Sequence, residues 1–304
     1  MRRGLSHRRY VVRMRRLGPR TVATRRATAN ERRARWRFLD RARGSTRSSA
    51  NVLPSRYARP IVRSQRTLRR SINLLRSFRF EQTDPDRFYD LVSSDAVALL
   101  AEHVQLDGAL VLDVGGGPGN FTKAFRAAGA TCFLVEPDIA ELSLRGVRLS
   151  GAVIGDGFRL PFRKGAADLV VSSNVLEHVA RPYEMIDELA EIARPCGYVW
   201  VSFTNWYGPW GGHETSPWHY LGGERAMRRY EAKNSKPPKN RYGSSMFATH
   251  VGPTLRYVRN HPRLDVVEAG PRYHPSFARG IVRVPGLREV ATWNLELLLR
   301  KRPA

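Results

Sequence analysis

Residues 110–121 read LVLDVGGGPGNF, and this stretch constrains the fold more than any other. An apolar run ends in an acid, and a glycine-rich turn follows at once. Glycine carries no Cβ and tolerates positive φ, so such a turn after a strand lets a ligand approach the backbone closely. From here the hydrophobic pattern alternates. Strands are predicted at 109–114, 131–135, 152–154, 169–173 and 198–203, with two more at 264–269 and 294–300. Helices are predicted at 120–128, 139–148 and 183–193, and the Ser94-Asp95 pair predicts a helix start at 94–103. Strands alternating with helices imply an α/β protein with a mostly parallel sheet covered on both faces.

Ligands of open parallel sheets bind beyond the carboxyl ends of the strands. The glycine spacing decides between two nucleotide classes. Gly115, Gly117 and Gly119 are spaced G-x-G-x-G, with Gly116 between the first two. The dinucleotide fingerprint G-x-G-x-x-G would need a glycine at 120 or 122, where Asn120 and Thr122 stand. Asp113 also sits at the entrance of the turn. A carboxylate beside a pyrophosphate is unfavourable, whereas beside a sulfonium or an α-amino group it is favourable. Glu136, followed by Pro137, ends the second strand and is placed to accept from both ribose hydroxyls. Asp156, followed by Gly157, ends the third and is placed to accept from an exocyclic adenine amine. Asn174 ends the fourth and faces the reaction centre.

Four motifs in order, LDVGGGPG, VEPD, GDGFRLPF and SNVLEHV, make residues 83–203 resemble the class I S-adenosylmethionine-dependent methyltransferases. The resemblance implies a Rossmann-like, seven-stranded sheet with an antiparallel last strand, and S-adenosylmethionine as cofactor. It implies that Asp113, Gly115 and Gly117 line the methionine and ribose side, Glu136 the ribose and Asp156 the adenine. Further stretches, LRRSINLLRSFRFEQTDPDRFY, GPWGGHETSPWHYLGG, NRYGSSMF and PRYHP, resemble actinobacterial methyltransferases associated with cell-envelope glycolipid and mycolate biogenesis.

The net charge of +25 would suggest a nucleic-acid binder until it is located. Residues 1–80 hold 25 arginines against two acids, Glu31 and Asp40, so the remaining 224 residues are near neutral. A phosphate-binding face should lie on the domain itself, which argues against an RNA acceptor. Residues 1–56 lack apolar periodicity and are read as an Arg-rich extension expected to be disordered, or as the product of a start set upstream of Met14. Residues 57–82 form a separate element before the domain at 83–304. Within it Leu68, Ile72 and Leu75 recur at i, i+4 and i+7 among arginines, which predicts a basic amphipathic helix. It would pack as a lid or lie on an anionic membrane through residues 60–80. Cys132 and Cys196 form no metal spacing, so no metal centre and no disulfide framework are expected. A cytoplasmic location is expected, with peripheral contact at the inner face of the membrane.

Residues 204–262 read as a long irregular insertion on the acceptor side, and such insertions are usually functional. The part TNWYGPWGGHETSPWHYLGG holds Trp206, Tyr207, Trp210, Trp218 and Tyr220 with His213, Glu214 and His219. Aromatic walls with few polar groups suit a small-molecule, sugar or lipid acceptor. His213, with Glu214 beside it, is the candidate general base, and His219 a second candidate.

Overall fold

The computed structural model describes residues 66–81, 83–138 and 150–303. The Arg-rich extension and the helix expected at 139–148 lie outside these residues. Seven strands form one sheet: β1 Leu110–Val114, β2 Thr131–Glu136, β3 Ala152–Ile154, β4 Ala167–Ser173, β5 Ala193–Thr204, β6 Leu264–Pro271 and β7 Asn294–Lys301. Their order is β3-β2-β1-β4-β5-β7-β6. The first five pair in parallel, and β7 runs antiparallel to both β5 and β6. This is the expected Rossmann-like, mostly parallel arrangement.

Alternation along each strand divides the core into two layers. Leu112 and Val114 of β1, Val170 of β4 and Val199, Val201 and Phe203 of β5 face one layer. There they meet α4 (Pro182–Ile192) and α6 (Val251–Arg259) through Met185, Ile186, Leu189, Leu255 and Val258. Val111, Leu169, Val171 and Trp200 face the other layer. They meet α2 (Pro85–Leu100) and α3 (Asn120–Ala127) through Phe88, Val92, Phe121 and Phe125.

Three expectations change. The helix predicted from Ser94 begins at Pro85, because Asp84 caps the Arg87 amide and Pro85 occupies the first turn, where its missing N–H costs nothing. The stretch 204–262 is not irregular throughout: α5 (Gly223–Asn234) lies within it, and α6 is the ordinary connection from β5 to β6. The basic helix forms as α1 (Leu68–Ser77), but it buries Ser71, Leu74 and Ser77. Leu68, Ile72 and Leu75 point outward instead, 56%, 38% and 37% exposed. Arg69, Arg76 and Arg79 are exposed with them. Arg70 turns inward, donating to both carboxylate oxygens of Asp95 at 2.6 and 2.7 Å and to the Arg272 carbonyl at 3.1 Å. Arg66, at the start of the described chain, pairs with Glu268 on β6 and Glu296 on β7. Residues 66–81 are therefore built into the domain.

Candidate functional site

The carboxyl ends of β1, β2, β4 and β5 lie side by side, and the chemistry-bearing residues gather there. After β1 the chain turns through Gly115, Gly117 and Gly119 with φ of 74°, 52° and 82°. A side chain at any of the three would be strained. Gly116 is held by space instead: a Cβ there would lie 2.3 Å from the Asp113 carboxylate. At Gly117 a Cβ would meet nothing within 4 Å, so this turn is open on its outer side.

Asp113 is wholly buried beneath the turn. Its Oδ2 accepts from the Thr122 amide at 3.0 Å and the Thr122 hydroxyl at 2.7 Å, tying β1 to the first turn of α3. Burial, partly offset by these two bonds, pushes its carboxyl up to about 6. Asp113 thus anchors the glycine turn to α3 from beneath. Glu136 reaches the turn from β2: Oε2 accepts from Gly117 N–H at 2.9 Å and Oε1 from Asp138 N–H at 3.2 Å. Asp156 is exposed and accepts from the Phe158 amide, and Gly157 follows it in the same turn, half-buried over Met185. Pro137 is exposed beside Glu136. Asn174 turns the chain after β4 at φ 55°, and its Oδ1 accepts from Ser202 on β5 at 3.2 Å and Asn294 on β7 at 2.9 Å.

The residues that follow Asn174 lie against the loop after β5. Glu177 is 2% exposed, and its Oε1 accepts from the Thr204 amide at the end of β5. His178 Nδ1 donates to the Ser245 carbonyl at 2.8 Å. The His213 ring lies 5.2 Å from the His178 ring. Burial, the largest influence, lowers the His213 ring below the usual imidazole range, against the nearby Glu177 charge. Glu214, its sequence neighbour, instead accepts from Asn240. The carboxylate beside His213 is Glu177, 36 residues away in the chain. His219 does not join this site. It is 0% exposed, its Nε2 is bonded to the Gly208 carbonyl, and its ring packs edge-on against Trp206. Enclosed in this way it is a packing residue of the loop.

The aromatic residues divide the same way. Trp206 is buried with His219 and Tyr242 in a small core of the loop's own. Trp210 faces outward, stacks on Phe78 after α1 and meets Trp293 before β7 edge-on, and Phe78 in turn meets Tyr273 after β6. Arg272 is a further residue that spacing did not single out. It is 1% exposed, donates to Ser173 and Ser202, lies over the Trp200 ring, and leaves Nη2 without a hydrogen-bond partner. The only signal for it was its place in the stretch PRYHP.

Buried polar atoms without partners are expensive unless something meets them. Among the described residues, both amide atoms of Asn120 and Arg272 Nη2 are such atoms, just beyond the ends of β1 and β6. With the open glycine turn and the Glu136 carboxylate, this donor and acceptor set fits an adenosyl amino acid. Its hydroxyls, amine and carboxylate need both kinds of partner, and the turn could hold it.

Comparison with known proteins points the same way. Residues 112–201 match the family model described as a methyltransferase domain. The chain is 45% identical over 253 residues to an uncharacterized methyltransferase of Mycolicibacterium gilvum, covering 80% of this chain and 98% of that protein. It is 44% identical over 243 residues to one of Mycobacterium tuberculosis, covering 77% and 95%. Among solved structures it is similar to an S-adenosylmethionine-dependent methyltransferase from Mesorhizobium loti, at 19% identity and a TM-score of 0.48, over 68% of this chain and 97% of that one. The motifs, the sheet order and the two mycobacterial relatives together establish that the chain belongs to the class I methyltransferases, enzymes whose cofactor is S-adenosylmethionine.

Proposed function

We propose that the enzyme methylates the polar head of an amphiphilic acceptor, a small molecule or lipid, taken up beside an anionic membrane surface. S-adenosylmethionine supplies the methyl group on a sulfonium sulfur. Glu136 and the Gly117 backbone hold its ribose, Asp156 its adenine, and the Asp113-anchored glycine turn its methionine side. Asn174, fixed from β5 and β7, orients the reaction centre. Positioning of the acceptor then supplies much of the rate. His213 meets the acceptor's hydroxyl, and its unprotonated ring is suited to accept a proton near neutral pH.

One observation carries the acceptor class. The outward face of α1 pairs Leu68, Ile72 and Leu75 with Arg69 and Arg76, and Phe78 just after it stacks on Trp210, three residues before His213. The surface suited to an anionic bilayer is thus joined to the aromatic wall at the site. No described helix is long and apolar enough to cross a membrane, so the contact we propose is peripheral. A glycolipid suits both halves, with sugar hydroxyls against the aromatic wall and chains toward α1, and would give the enzyme a role in the cell envelope. Incubating the protein with methyl-labelled S-adenosylmethionine and a lipid extract should place label in organic-soluble species. Arg69→Glu with Arg76→Glu should weaken binding to anionic vesicles by about 1 kcal/mol per charge, less so at high salt. Label confined to water-soluble acceptors, with unchanged vesicle binding, would reject this reading.

A further inference from the structure

We propose that Glu177, His178 and His213 form a divalent transition-metal site, with coordination positions left open toward the acceptor. One ligand atom from each residue lies within 4.8 Å of the others. A first-row metal bound at about 2.1 Å would draw such atoms to roughly 3.4 Å apart, so a small contraction closes the site.

Three independent features prepare these residues for an ion. Glu177 is 98% enclosed, yet its Oε2 has no partner, while Oε1 is held by the Thr204 amide. A buried carboxylate oxygen left bare is costly, and a cation removes that cost. His213 Nε2 is likewise buried and unpartnered. The ring is held by a backbone in the left-handed region, φ 48°, an uncommon conformation for a non-glycine residue. His178 is oriented by its other nitrogen. Because the Ser245 carbonyl can only accept, Nδ1 carries the proton and Nε2 is left with a lone pair. A ring N–H donated to a backbone carbonyl is the usual support of a metal-bound histidine.

Two imidazoles and one carboxylate suit zinc, iron(II), manganese(II) or cobalt(II) better than magnesium or calcium, which prefer oxygen. Three protein ligands leave the open position typical of catalytic rather than structural sites. A bound metal would coordinate an acceptor oxygen there and favour its deprotonated form. This last step rests on the head-group placement proposed above; the ion site itself does not. With the ion in place His213 serves as a ligand, and activating the oxygen passes from the ring to the metal.

The full-length protein, stripped with chelator and reloaded with Co(II), Mn(II) or Zn(II), should retain about one equivalent after desalting. Co(II) should give the visible absorption of a low-symmetry nitrogen and oxygen site. His213→Ala and Glu177→Gln should each weaken retention about 10-fold or more. Glu177→Gln keeps the acceptor for Thr204, and S-adenosylhomocysteine affinity, measured in parallel, shows whether each variant is folded. Failure of the wild-type protein to retain any of the three metals, while still binding S-adenosylhomocysteine, overturns the proposal. So does retention unchanged in both variants. Neither outcome touches the vesicle and lipid-labelling results, which test the acceptor reading separately.

Discussion

Phe78 lies parallel to Trp210, with ring centroids 5.2 Å apart and planes inclined by 9°. One residue follows the first described helix and the other belongs to the loop after β5. Their contact makes the cationic helix and the acceptor-side loop a single surface. Phe78 also meets Phe88 and Tyr273 at 5.0 Å, so it stands where α1, α2 and the chain after β6 come together. Replacing it with alanine should cost about 2–4 kcal/mol, below the full value for an enclosed phenylalanine because the residue is half-buried. Thermal unfolding should show a melting temperature lower by several degrees. The KM for acceptor should rise more than the dissociation constant for S-adenosylhomocysteine.

Arginines 69 and 70 are adjacent but should respond in opposite ways. Arg70 is tied to Asp95 and the Arg272 carbonyl in a partly buried site. Arg70→Glu would set two carboxylates together, with an expected loss of about 3 kcal/mol or more in chemical denaturation. Arg69→Glu lies on the exposed face and should change stability by under about 0.5 kcal/mol, its effect appearing only in vesicle binding.

Cofactor affinity should depend on Glu136. Calorimetry with S-adenosylhomocysteine should show a loss of about 1.5–3 kcal/mol for Glu136→Ala, the range for hydrogen bonds to a charged group. Glu136→Gln, which keeps an acceptor for the Gly117 amide, should lose less. NAD should give no heat with any of the proteins, and tight NAD binding would contradict the glycine-spacing argument.

Asp113 sets a pH dependence of stability in the ligand-free protein. Its carboxyl is raised from 3.8 to about 6, chiefly by burial. Between those values the unfolded chain has released this proton while the folded chain keeps it. Its contribution to stability therefore falls as pH rises from about 4 to 6 and is level above, a change of about 3 kcal/mol for a shift of roughly two pH units. Asp113→Asn should lack this slope while keeping an acceptor for Thr122. The difference between wild type and variant, followed by urea unfolding across that window, measures it directly; a constant difference would show that the carboxyl ionises normally.

His213 and His219 should separate cleanly. His219→Ala removes an enclosed ring from the loop core and should lower the melting temperature, by an amount equivalent to about 2 kcal/mol or more. His213→Ala should leave S-adenosylhomocysteine affinity intact and slow methyl transfer about 100-fold. Equal stability losses in both, with no selective loss of transfer, would make His213 another packing residue.

The sheet and the glycine turn of this protein could be read from sequence because their signals are local. A strand that ends in an acid and a glycine turn is a contiguous pattern, and Glu136, Asp156 and Asn174 each follow an apolar run that must be a strand. The sheet is buried on both faces, so its strands announced themselves, though β5 begins five residues before the predicted 198. The acceptor half was decided by tertiary structure. Glu177 rather than Glu214 lies beside His213, because the segment after β5 folds back over the end of β4 and has no local pattern around His213 to reveal where it lands. The amphipathic stripe on α1 was visible, but which side would be covered was not. Leu74 buries itself against α2 while Phe78 packs, half-buried, on Tyr273, and that choice leaves Leu68, Ile72 and Leu75 facing outward. Chain-local chemistry determines where strands and turns form. Which distant side chains meet depends on the packing of whole elements, where small differences in buried area decide between faces of similar hydrophobicity.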